Sequence, residues 1–197
     1  MPLTVNNGTL NPQPLDPAEE QHLLNVPHRP QEGRLWCWAA CVQMVLEHNH
    51  KQMDQCAIVG KMLNQDNHLC GQTFQSRNES CAPLNMGPTW DRCGMKVNPH
   101  TGTLDINQIK AEIAANRPIQ VGIIWHVGSG HAVLIKGWAR TTPETLLIDD
   151  PLRDSPQAPV FDVSGRATLT ELINAFGHGF WRFTWSELEL KNGGNSN

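Results

Sequence analysis

The hydrophobic positions of this chain change rhythm along its length, repeating first at helical and later at strand spacing. In CWAACVQMVLE, Ala40, Cys41, Met44 and Val45 recur at the three-and-four spacing of a buried helical face, which predicts a helix opening at Cys37 and fading near His48-Asn49-His50. A second, short helix follows in DQCAIVGKMLN, with Asp54 placed as its cap and Ile58, Val59 and Met62 inward. From Gln65 to about Asn98 the periodicity disappears, leaving a long irregular stretch in which residues 82–96 suggest one more short helix around Trp90, packed on the cysteine helix. The register sharpens at LDINQIKAEIAANRP, a helix capped by Asp105 and ended by Arg117-Pro118. Three strands then follow across tight connections, 119–125, 131–139 and 145–149, which predicts an antiparallel meander. A short helix over 169–176 and an alternating strand over 180–185 complete the pattern.

Helices first and sheet afterwards is an α+β order. The predicted architecture is an N-terminal helical part whose cysteine helix packs on a C-terminal antiparallel sheet. Residues 1–28, rich in Pro, Asn and Gln, read as an extended leader or linker, 29–190 as the folded domain and 191–197 as a flexible tail.

Composition narrows the function classes. The 197 residues suffice for one domain with a full core. A net charge of −4 with scattered Lys and Arg offers no footprint for nucleic acid. No apolar run approaches the ~18 residues of a membrane helix, so no membrane insertion is expected. The N-terminus lacks the basic and apolar regions of a cleavable secretory signal, which leaves two expectations: a cytoplasmic protein, or one exported by a route that reads no such signal, as a secreted effector would be. Six cysteines leave the compartment open. Cys56, Cys70, Cys81 and Cys93 could form one or two disulfides of undeducible connectivity. The spacing of these cysteines and His68 matches no paired zinc-ligand motif, so neither a metal nor any other cofactor is expected.

The chemistry concentrates at Cys37. A thiol at a helix start feels the partial positive charge and free N–H groups of the first turn, which favour the thiolate. Cys41, one turn further in, reads as core. Six positions before Cys37 stands Gln31, whose neutral amide can donate to an oxyanion. A nucleophile of this kind needs a base, and nine histidines compete. His22, His28, His48, His50, His68, His100 and His178 lie in polar or Gly-rich surroundings and read as surface residues, whereas His126 and His131 flank the turn between two strands. His131 is the better placed because it begins a strand that would fix its ring. The acids Asp149 and Asp150 end the next strand, and alternation lets only one of them face the ring and accept its Nδ1–H.

The pattern of Gln31, five residues, then Cys-Trp-Ala resembles the active-site segment of papain-like cysteine peptidases, and the longer CWAAC is most similar to the bacterial C39-like and C70-like effector branch. His131 followed by Ala, aliphatic residues and Gly-Trp resembles the histidine motif of the same family. The resemblance implies a papain-like fold, Cys37 as nucleophile, His131 as base and Gln31 in the oxyanion hole. Asp-Pro in place of the Asn-Ser-Trp of papain favours Asp150 as the orienting group, with Asp149 second, and leaves Trp181 or Trp185 to shield the pair. In such a site a Cys–His ion pair would lower the thiol from about 8.5 to about 3–4. The implied activity is peptide-bond cleavage through a thioester acyl-enzyme, the implied partners a protein or peptide substrate and, for an effector or toxin domain, an inhibitor or immunity protein. The same triad also supports deamidation, transglutamination or acyl transfer. Two further rivals are a non-catalytic binding module on this fold and a maturation peptidase fused to a transporter, the latter disfavoured by the lack of a transmembrane segment unless the transporter is a separate chain.

Overall fold

The structure, a computed structural model, describes residues 20–63, 87–153 and 165–191. It is α+β. A seven-stranded sheet, antiparallel throughout, carries helices on both faces. In chain order the elements are β1 (Gln21–Leu23), α1 (Cys37–His48), α2 (Gln55–Leu63), α3 (Gly87–Arg92), β2 (Met95–Thr101) and α4 (Ile106–Ala114). The meander β3 (Ile119–Trp125), β4 (Gly130–Ala139) and β5 (Thr145–Asp149) follows. The chain then continues through β6 (Gly165–Thr168), α5 (Leu169–Ile173), a 3₁₀ turn (Ala175–Gly177) and β7 (Gly179–Leu190). The sheet order is β2-β7-β3-β4-β5-β6, with β1 pairing with β4 beyond the end of β3.

Strand alternation divides the core. Along β4, Ala132 and Leu134 join a cluster with Cys37, Cys41, Trp38 and Trp90, while Val133 and Ile135 join a second cluster with Ile109, Ile113 and Leu172. The helices α1, α2 and α3 therefore belong to one face of the sheet, α4 and α5 to the other. Every residue of α1 from Cys37 to Leu46 is buried, not one stripe alone, because the helix is enclosed by the sheet, α2 and the segment leading into it.

The elements form where local chemistry supports them. Asp105 caps α4 by accepting from the Asn107 and Gln108 N–H groups, and the Gln108 side chain returns a bond to the Asp105 N–H. That helix stops at Ala114, ahead of Arg117-Pro118, because Asn116 adopts a left-handed conformation. Thr168 and Glu171 form the same reciprocal cap on α5.

Several expectations change. Residues 20–28 of the segment read as a leader fold onto the sheet: β1 pairs with β4, Leu24 N–H bonds the Lys136 carbonyl and Val26 is buried. The rest of that segment lies outside the described residues. Strand β2 was not expected, since Asn98-Pro99 reads as a loop; Pro99 is tolerated because β2 is an edge strand. The last strand runs to Leu190, past the expected end at 185. Cys93 is a buried free thiol, raised to about 11 by burial against the lowering influence of Lys61 and Lys51, while Cys56 is disulfide-bonded. Cys70, Cys81 and His68 lie outside the described residues. Among the described residues no helix is long and apolar enough to cross a membrane, and no group of three or more His, Cys, Asp or Glu side chains is placed to hold a metal ion.

Candidate active site

Cys37 is the first residue of α1 and 8 % exposed. Trp36 precedes it at the N-cap without a side-chain cap, so the first turn keeps N–H groups for a ligand. The approach to α1 is tightly folded. Trp36 N–H donates to the Gly33 carbonyl at 3.1 Å, and a Cβ on Gly33 would stand 2.6 Å from the Trp36 ring, so only glycine fits beneath that indole.

His131 stands at the start of β4, just after the β3–β4 turn, and is buried. Its Nε2 lies 2.7 Å from Asp150 Oδ1. Cys37 is the ring's other neighbour, and its interaction with the ring favours the imidazolium. The acid therefore grips Nε2, not the expected Nδ1. Asp150 and His131 reach one another from neighbouring strands, where β5 ends and β4 begins.

Burial is the strongest single influence on His131 and works against its charge, but Asp150 and Cys37 together outweigh it and hold the imidazolium up to about 10. The ring is thus kept charged beside the sulfur. Asp150 is fully buried, and its Oδ1 also accepts from the Leu152 N–H at 2.8 Å, which fixes the carboxylate plane.

The two acids separate as alternation requires. Asp149, fully buried, meets His28 Nδ1 at 2.6 Å, Lys136 Nζ at 2.5 Å and Arg153 Nη2 at 3.7 Å. Burial raises its carboxyl, but His28 and Lys136 hold it below the usual carboxylate range. Cys41 is sealed in the core, its thiol raised by burial and then by the negative charges of Cys37, Asp150 and Asp149. It is a packing residue.

The amide of Gln31 is buried and spoken for. Its Nε2 donates to the Gly33 carbonyl at 3.0 Å and the Arg34 carbonyl at 2.9 Å, inside the loop that leads to Cys37. Its backbone N–H donates to the Pro151 carbonyl at 2.8 Å, stitching this segment to the turn after Asp150. Gln31 thus links the loop before the nucleophile to the turn after the acid, with its amide nitrogen bonded to two loop carbonyls.

His126 is exposed on the β3–β4 turn, its ring 6.4 Å from that of Phe180, and joins neither acid. His28, expected at the surface, instead holds Asp149, because the segment bearing it is drawn onto the β4–β5 side of the sheet. Trp181 and Trp185 are core residues on opposite faces. The indole over His131 is that of Trp125, at 6.0 Å and 18°. This was readable: His131 pairs with Ile123, and Trp125 lies two residues further on the same face of β3.

The arrangement brings together a thiol, an imidazole held in its charged form and a buried carboxylate that bonds the imidazole. A model of the Peptidase_C39 like family matches residues 23–169, a span that includes Gln31, Cys37, His131 and Asp150. No curated protein matches the chain significantly.

Proposed function

From the premise that this chain belongs to the Peptidase_C39 like family, and so to the papain-like cysteine peptidases, we propose that it cleaves peptide bonds with Cys37, His131 and Asp150. The observation that carries this reading is the single ring of His131, hydrogen-bonded to Asp150 at 2.7 Å and kept charged by Asp150 and Cys37 together. The substrate is a protein or peptide, as the family implies.

In the proposed reaction the Cys37 sulfur bonds to the scissile carbonyl carbon, and the carbonyl π pair moves onto oxygen. The Cys37 backbone N–H and the Gln31 amide hold that oxyanion. Gln31 does so by exchanging one of its two loop carbonyls for the new charge, a stronger acceptor than a neutral carbonyl. Collapse breaks the C–N bond as the His131 imidazolium gives its proton to the leaving amine. Water then adds to the thioester, losing a proton to His131, and departure of the thiolate restores the pair. Asp150 keeps the ring oriented throughout and favours its charged form in the resting pair. The first-turn N–H groups of α1 favour the thiolate over the thiol.

An exported effector or toxin is the role we assign. The Cys56 disulfide supports it, since such bonds persist in oxidising compartments, and a producing cell would then need an inhibitor or immunity protein. Recovery of the oxidised protein only from cell lysate, with none in the culture medium, would sink this role without touching the chemistry.

The deciding test is alkylation by a thiol-reactive peptidyl electrophile across pH, on the wild type, Cys37→Ala and His131→Ala, with the modified residue located by mass spectrometry. Labelling at Cys37 that stays rapid below pH 7 and loses this behaviour in His131→Ala is the expected result. Labelling with ordinary thiol pH dependence, spread over several cysteines, would return the chain to a binding module.

A further inference from the structure

Gln31 sits in a segment whose position is set from outside. Gln55, the first residue of α2 and only 1 % exposed, accepts the Glu32 N–H on its Oε1 at 2.8 Å. Its Nε2 donates to the Pro30 carbonyl at 2.9 Å and to Gln43 Oε1 at 3.0 Å. One side-chain amide thus binds the residues on both sides of Gln31, supplying the donor and the acceptor that a neighbouring strand would otherwise give. Gln43 belongs to α1, the helix that begins with Cys37, so the same amide ties the Gln31 segment to the nucleophile's own helix.

The need for such a clamp follows from what Gln31 must do. Its amide is shared between two loop carbonyls, and it serves an oxyanion only if it can trade one of them without moving far. A displacement of about 1 Å in a positioning group can cost on the order of 10²-fold in rate. A Pro30–Glu32 backbone free to drift would lose that alignment.

We propose that Gln55 is a positioning residue for the oxyanion hole, holding the peptide groups that flank Gln31 so that its amide stays within reach of the Cys37 cleft. This rests on the reading of Gln31 as an oxyanion donor. It separates Gln55 from a residue that merely stabilises α2, because its effect must pass through Gln31.

The test compares Gln55→Met, which keeps the buried length but removes all three polar contacts, with Gln31→Ala and the double variant. The substrate is the best-cleaved member of a quenched-fluorescent peptide library, and iodoacetamide alkylation of Cys37 serves as a reaction that needs no oxyanion hole. Gln55→Met is expected to lower kcat by about 10–100-fold with KM within about threefold and alkylation unchanged, and the double variant to be no slower than Gln31→Ala. Losses that multiply in the double variant, or a lowered thermal midpoint with kcat unchanged, overturn the proposal. If Gln31→Ala turns over like the wild type, or the wild type cleaves nothing in the library, the reading of the site fails and this proposal with it. A slow Gln31→Ala beside an unimpaired Gln55→Met overturns the proposal alone. Should Gln55→Met fail to fold, Gln55→Glu keeps the length and the acceptor for Glu32 N–H while losing the donation to Pro30, and a kcat loss at fixed KM and fixed alkylation rate is again expected.

Discussion

Asp149 and Asp150 are consecutive and fully buried, and each meets a histidine ring, Asp149 that of His28 at 2.6 Å and Asp150 that of His131 at 2.7 Å. Strand alternation sends them to different neighbours. Asp149 is surrounded by the His28 ring and the cations of Lys136 and Arg153, drawn from the N-terminal segment, β4 and the turn after β5. Its charge is used up in holding those pieces together. Asp150 acts on a ring that Cys37 also neighbours, and both favour the ring's charged form. Residue type alone does not separate a structural acid from a chemical one; what stands beyond the partner does.

The largest effect should come from breaking the chemical member. Asp150→Ala is expected to lower kcat/KM by about 10²–10³-fold, roughly 3–4 kcal/mol of transition-state stabilisation, because the ring loses its orientation and its counter-charge. The pH profile sharpens this. In the wild type, turnover should fall as pH rises past about 10, where the His131 imidazolium loses the proton the leaving amine needs. Without Asp150, burial still disfavours the charge while its main opponent is gone, so the alkaline limb should move down toward 6.5, the ordinary value of a histidine. A limb that stays near 10 in Asp150→Ala would deny the acid its role.

Stability should respond oppositely at the two acids. The raised His131 contributes stability that is fully present below about pH 6.5 and is lost as pH rises toward about 10. The lowered Asp149 contributes stability present above pH 3.8 and lost as pH falls through its depressed folded value. Denaturant melts of the wild type and Asp149→Asn across both ranges check this. At neutral pH, Asp149→Asn is expected to cost about 2–3 kcal/mol, below the 3–5 of a fully buried pair because its partners reach solvent, with kcat within about threefold of wild type. A variant that folds as well as the wild type but turns over a hundredfold more slowly would reverse the assignment of the two acids.

How much of this was readable from sequence follows from how locally each feature is specified. The β3–β5 meander and α4 stand at almost the expected bounds, because β-branched runs and an Asp105 cap are signals within a few residues of the element they define. Cys37, His131 and the acids could be singled out because a helix start, a strand start and a strand end each aim a side chain. What sequence hid was partnership across distance. Which nitrogen of His131 meets Asp150, and that His28 reaches over 121 positions to Asp149, depend on how the sheet lays β4 beside β5 and β1. Gln55 gave no signal, since a glutamine beside a capping Asp54 reads as an exposed first-turn residue. Strand β2 was hidden by Pro99, whose cost vanishes only at a sheet edge, and edges are a property of the finished topology.

The finest test of the comparison is His28→Gln. The ring meets an acceptor on each side, Asp149 Oδ1 at Nδ1 and the Arg153 carbonyl at 3.1 Å from Nε2, and a glutamine amide can donate to only one of them at a time in that geometry. Lys136 and Arg153 remain to neutralise Asp149, so no buried charge is orphaned. The expected loss is about 1 kcal/mol, less than a fully buried charge-assisted bond because His28 is partly exposed, and turnover should stay within about threefold. Combined with Asp149→Asn, the two losses should sum to less than their separate values, since both remove one contact. If His28→Gln instead slowed turnover as strongly as Asp150→Ala does, the N-terminal segment would be part of the chemistry, and the two carboxylates would form one catalytic network instead of two neighbours with separate tasks.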